Sequence, residues 1–66
     1  MSEDIKVLIL KYMRENKELE YTIPDIQRGA NIRSREHVAV ALTELENEEK
    51  VVSRKKVRIK YYRLIT

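Results

Sequence analysis

The chain has a single proline, Pro24, and its neighbours leave it one structural role. Proline lacks an N–H and its ring collides with the preceding turn, so it breaks a helix interior but fits the first turn. Thr22-Ile23-Pro24-Asp25 supplies the rest of a helix start, because Thr22 can accept from the amides that follow while Asp25 reaches back, a capping box. A short helix is therefore expected from about Pro24 to Ala30, with Ile26 and Ala30 on its buried side. Asn31 tolerates the left-handed backbone of a tight interhelical turn, Ile32 plugs that turn, and Ser34 can cap the next helix. There Val38, Leu42 and Leu45, helped by Ala41, form the inward stripe, and the helix must end near residue 49, before the β-branched pair Val51-Val52.

The segments on either side complete the architecture. Ser2 can cap a first helix whose opening turn carries Glu3 and Asp4, and Ile5, Leu8, Ile9, Tyr12 and Met13 recur at helical spacing through about residue 15. Val7 and Leu10 fall toward the other side of that helix, to be covered either by a later segment or by a second copy of the chain. Asn16 to Glu20 is a charged connector anchored by Leu19 or Tyr21. Residues 51 to 65 read as a β-hairpin. Its turn has neither Gly nor Asn, so a loop of four or more residues is expected. Val57/Ile59/Tyr61 and Tyr62/Leu64 alternate on opposite parities, and a bulge near Tyr61 would reconcile them. The result is one α+β domain over residues 1–66, three helices followed by a two-stranded hairpin.

So small a chain exposes much of its surface, and with no cysteine it has no disulfide to supplement its core, which makes a homodimer through Val7 and Leu10 an expectation. No apolar run is long enough to span a membrane, and no basic region leads into a signal core. A cytoplasmic location is expected. Charge divides sharply along the chain: residues 1–50 hold eight Lys/Arg against eleven Asp/Glu, whereas residues 51–66 hold six Lys/Arg and no acid. Such polarity fits a polyanionic partner; the plainer alternative is an edge strand guarded by lysine against aggregation.

The helix after Ser34 carries the sharper signal. With Val38 at zero on a helical wheel, Leu42 and Leu45 lie within about 40°, while Glu36, Ala39, Val40 and Thr43 fall about 100° to 200° away. That outer face is small and uncrowded. Ala, Val and Thr can sit against a thymine methyl, and Arg35 can reach guanine or phosphate. Arg33, Ser34, Arg35 and Glu36 occupy the N-terminal end, the part of a recognition helix nearest the bases.

YTIPDIQRGANI, VAVALTELENEEKVV and YYRLIT, in this order over nearly the whole chain, resemble the winged helix-turn-helix domain of small transcription regulators. The resemblance implies a third helix, about 34–49, in the major groove and a wing, about 53–58, on the minor groove or backbone. Arg33, Ser34, Arg35, Glu36, Ala39, Val40 and Thr43 would then line the groove, with Arg54, Lys55, Lys56 and Arg58 as the wing contact. The chain departs from the pattern in three places: Asn31 replaces the usual turn glycine, one extra residue lies between Ile32 and Val38, and Glu49-Lys50 stands where a glycine often precedes the strand.

Other classes find less in these residues. His37 is the only histidine, and Ser34, Glu36 and His37 on one helical turn cannot converge as a triad. No metal-ligand spacing, glycine-rich phosphate loop or cofactor motif occurs, and the small core leaves no room for an effector pocket. The rivals are a protein-interaction adaptor using the acidic rim Glu44, Glu46, Glu48 and Glu49, and an RNA-binding module, poorly supplied by four tyrosines.

Overall fold

The structure is a computed structural model describing residues 2–65, without the side chain of Ser2, so the expected Ser2 cap lies outside the described residues. Three helices, α1 (Ser2–Arg14), α2 (Ile23–Gly29) and α3 (Arg35–Asn47), precede an antiparallel hairpin of β1 (Val51–Lys56) and β2 (Ile59–Leu64). This is the expected α+β arrangement.

Local chemistry sets the helix ends. Thr22 is extended, its hydroxyl accepts from the Asp25 amide at 3.3 Å, and Asp25 Oδ2 accepts from the Thr22 amide at 3.2 Å, with Pro24 in the first turn. At the far end Asn31 takes φ 57°, the Asn31 amide donates to the Arg28 carbonyl at 3.2 Å, and the Ile32 amide donates to that of Gln27 at 2.9 Å. This pair of bonds closes a helix through one left-handed residue. α3 begins with the Ser34 hydroxyl accepting from the His37 amide at 3.3 Å. It ends by the same closure, with Glu49 at φ 62° and the Lys50 amide donating to the Leu45 carbonyl at 2.9 Å. Glutamate thus occupies a position where glycine costs least.

The core lies where the three helices meet the base of the hairpin. Ile9 and Met13 of α1, Ile26 of α2, Val38, Leu42 and Leu45 of α3, and Val51 of β1 are fully enclosed, and Tyr21 and Tyr62 are buried at its rim. Tyr21 acts as a one-residue third strand: its N–H donates to the Tyr62 carbonyl at 2.8 Å and the Tyr62 N–H returns to the Tyr21 carbonyl at 2.7 Å. The Tyr21 hydroxyl donates to the Asn16 carbonyl, tying down the connector, and burial pushes its pKa up. Leu19, the other expected anchor, is exposed. The Tyr12 and Tyr21 rings are 5.1 Å apart, and the Tyr12 ring lies so close over Gly29 that a Cβ there would stand 2.1 Å from Tyr12 Cζ.

Lys6 links α1 to the C-terminal half of α3. The side chain is buried, and its ammonium lies 2.5 Å from Glu48 Oε2, 3.4 Å from Glu44 Oε1 and 3.5 Å from Glu3 Oε1. The hydrogen bond that Lys6 donates to Glu48 holds the Lys6 pKa above the ordinary lysine range, and the same bond holds the Glu48 carboxyl below its ordinary value.

Three expectations are corrected. Of the two alternatives for Leu10, the structure shows burial within the chain: it is 8% exposed and belongs to the core, while Leu8, expected inside, is 44% exposed. Leu10 borders a surface cleft together with Glu49, Lys50, Leu64 and Ile65, on a helix that packs against both α3 and β2. Val7 is left exposed without its partner, so the Val7/Leu10 dimer face is withdrawn. The hairpin turn is short, because pairing runs up to Lys56 opposite Ile59 and leaves only Val57 and Arg58 between the strands. The register also continues unbroken to Val51 opposite Leu64, with no bulge. The parity conflict is settled by Tyr62 and Leu64 facing inward, while Ile59 is exposed and Tyr61 half-buried.

Candidate nucleic-acid interface

α3 is held by its inward stripe, by the Ser34 cap and by Lys6, so its remaining arc is a rigid exposed surface. Arg35, Glu36, Val40 and Thr43 are exposed there and Ala39 is half-buried. The Thr43 hydroxyl donates to the Ala39 carbonyl at 3.0 Å, which commits its proton to the helix and leaves an apolar methyl at the surface. Ser34 is half-buried, and its hydroxyl oxygen is engaged by the cap. Arg33 is exposed at the side chain, and its carbonyl accepts from Gln27 Nε2 at 2.9 Å, fixing the turn before α3.

Side chains alternate across a strand, so the register assigns each wing residue to a face. Val51, Ser53, Lys55, Lys60, Tyr62 and Leu64 share one, and Val52, Arg54, Lys56, Ile59, Tyr61 and Arg63 share the other. The first face looks toward α3: the Ser53 hydroxyl donates to Glu46 Oε2 at 2.6 Å, and Lys60 Nζ lies 4.0 Å from Glu46 Oε1. Lys60 Nζ also sits 5.3 Å from the centroid of the Tyr62 ring.

The expected wing cations therefore divide. Arg54 is on the face turned away from α3 and its guanidinium is 3.1 Å from Glu20 Oε1, so it serves the connector to α2 rather than the surface shared with α3. Lys56 shares that outer face, while Lys55 is on the inner one. Arg58 stands at the tip. With Arg35 of α3 and Lys60 of β2 it lines a surface cleft of about 430 Å³, together with Thr22, Ile23, Pro24 and Ile59. Lys60 was not among the expected contacts, although its parity with Tyr62 places it on the face toward α3. Among the described residues, Arg33, Arg35, Lys55, Lys56 and Arg58 have no carboxylate within 4.0 Å.

The acidic rim is engaged from within. Glu44 and Glu48 face Lys6 and Glu46 is shared by Ser53 and Lys60, so three of the four rim carboxylates have partners within the chain, while Glu49 is exposed with no cation within 4.0 Å among the described residues. A stacking platform for single-stranded RNA is likewise thin, since Tyr21 and Tyr62 are buried and Tyr12 is packed between Gly29 and Tyr21. Three helices followed by an antiparallel hairpin are compatible with a winged helix. Comparison with protein-family models and with curated protein sequences gave no match.

Proposed function

We propose that the chain is a transcription regulator that binds double-stranded DNA, with α3 in the major groove and the wing on the adjacent backbone and minor groove. The observation that carries this reading is the cleft shared by Arg35, Arg58 and Lys60: cations from the start of α3 and from the wing border one surface, as contact with a single polyanion requires. The small outward face of Ala39, Val40 and Thr43 is shaped to approach base edges, and Arg35 has the reach for a guanine edge. Phosphate contacts hold the register, and α3 carries the sequence preference.

Fluorescence anisotropy on duplex DNA and single-stranded RNA at two salt concentrations tests the class of partner. The duplex is expected to bind more tightly, and equal or stronger binding of the RNA contradicts the proposal. On a site selected from a random duplex pool, Arg35→Ala is expected to cost about 1 to 3 kcal/mol, with little loss on random DNA. Equal losses on both would assign Arg35 to a phosphate.

A further inference from the structure

The tip of the wing contains a residue that neither the turn nor the core rewards. Val57 is the first of the two residues between the strands; it takes φ 59°, whereas Arg58 is not among the positive-φ residues. A two-residue hairpin turn with this pattern ordinarily places glycine first, because a β-branched side chain at positive φ collides with its own backbone. Asn31 and Glu49 are also left-handed, but each closes a helix, and neither is β-branched. Val57 is moreover 95% exposed, so burial within the domain does not repay the strain. Its neighbours Lys55, Lys56 and Arg58 are cations without carboxylate partners among the described residues. An apolar point stands inside a basic collar.

We propose that Val57 is a specificity-determining contact that enters the DNA minor groove and packs against its sugar walls and floor. This rests on the duplex-binding reading above and adds to it a choice of sequence. The collar cations hold the tip against the phosphates on either side of the groove, so that the valine is desolvated there. Valine has neither donor nor acceptor, so it reads shape: the guanine 2-amino group projects into the minor groove and obstructs it, whereas A·T pairs leave the floor open. Apolar side chains inserted in this groove also favour easily unstacked steps such as TA.

Three duplexes of equal charge test this: alternating A·T, alternating G·C, and alternating I·C, whose minor groove lacks the 2-amino group while its major groove resembles that of G·C. The wild-type chain is expected to bind the A·T and I·C duplexes more tightly than G·C. Val57→Gly, and Val57→Asn as a second variant that tolerates positive φ, are expected to lose about five- to twenty-fold on A·T and I·C, the scale of partial burial of one valine side chain, and little on G·C. Both variants should melt at or above the wild-type temperature, because they relieve the strain. A purely local role in the turn would weaken binding to all three duplexes alike, whereas a groove contact confines the loss to those lacking the 2-amino group. Unchanged or tighter binding by both variants, or a loss that ignores the 2-amino group, overturns the proposal while leaving duplex binding intact. Failure of the wild-type chain to bind any duplex removes the reading beneath it as well. Val57-dependent binding to phosphatidylglycerol vesicles but not to the A·T duplex would instead make the tip a membrane contact and overturn the proposal.

Discussion

Gly29→Ala is expected to destabilise the fold, against the ordinary preference of helices. Alanine is favoured over glycine by about 1 kcal/mol in a helix interior, and by less at a C-terminal position such as this one. The added methyl, however, would stand 2.1 Å from Tyr12 Cζ and 2.2 Å from Cε1, well inside van der Waals contact. The Tyr12 ring must move, and it is also packed against Tyr21 at 5.1 Å, whose backbone bridges to Tyr62. Overpacking of this kind costs about 1 to 3 kcal/mol. Subtracting a helix gain of about half a kcal/mol leaves a net loss of about 0.5 to 2.5 kcal/mol, or a melting temperature lower by roughly 2 to 20 °C in a chain of this size. Urea unfolding followed by circular dichroism measures it. In a Tyr12→Ala background the obstruction is gone, and the same substitution is expected to be neutral or stabilising by about 0.5 kcal/mol. A stabilising Gly29→Ala in the wild-type chain, or the same loss in both backgrounds, would refute the account of how α1 meets α2.

The other stability predictions follow from the helix end and the buried lysine. Glu49→Gly removes a side chain from a left-handed position but adds freedom to the unfolded chain, and thermal melts are expected to show a gain of about 0.5 to 1 kcal/mol. Because the Glu48 carboxyl is held below its ordinary 4.5, its link to Lys6 contributes in full above that pH and is lost as pH falls through the lower folded value. Because Lys6 is held above its ordinary 10.5, its contribution is complete below that pH and fades as pH rises through the higher folded value. Melting temperatures of Glu48→Gln across pH 2 to 7 should therefore fall less on the acid side than those of the wild-type chain, relative to each protein at neutral pH. Parallel curves would show that this pair does not contribute.

The features legible in the sequence were those set by neighbouring residues. The capping box of Thr22 and Asp25, the left-handed Asn31, the Ser34 cap and the stripe of Val38, Leu42 and Leu45 each depend on contacts within a few positions. Features decided by distant partners were not. Whether Leu8 or Leu10 turns inward depends on where α3 and the end of β2 cross α1, and Lys6 meets a carboxylate 42 positions away. The hairpin misled for a different reason: Val57 occupies a backbone conformation that its type resists, so a rule based on turn chemistry expected a longer loop. That misreading carried into the site. The register then reassigned Arg54 to Glu20 and brought in Lys60.

The most direct measurement of duplex binding by α3 and the wing together is the salt dependence of affinity for one duplex. Four to six phosphate contacts predict a log-log slope of roughly −4 to −5 for the wild-type chain. Replacing Lys55, Arg58 and Lys60 together by Ala should flatten that slope by about 2 to 3. Replacing Arg54 and Arg63, on the face turned from α3, should leave it nearly unchanged. A steep slope that survives loss of the first three cations, or one abolished by loss of the outer pair, would contradict the account.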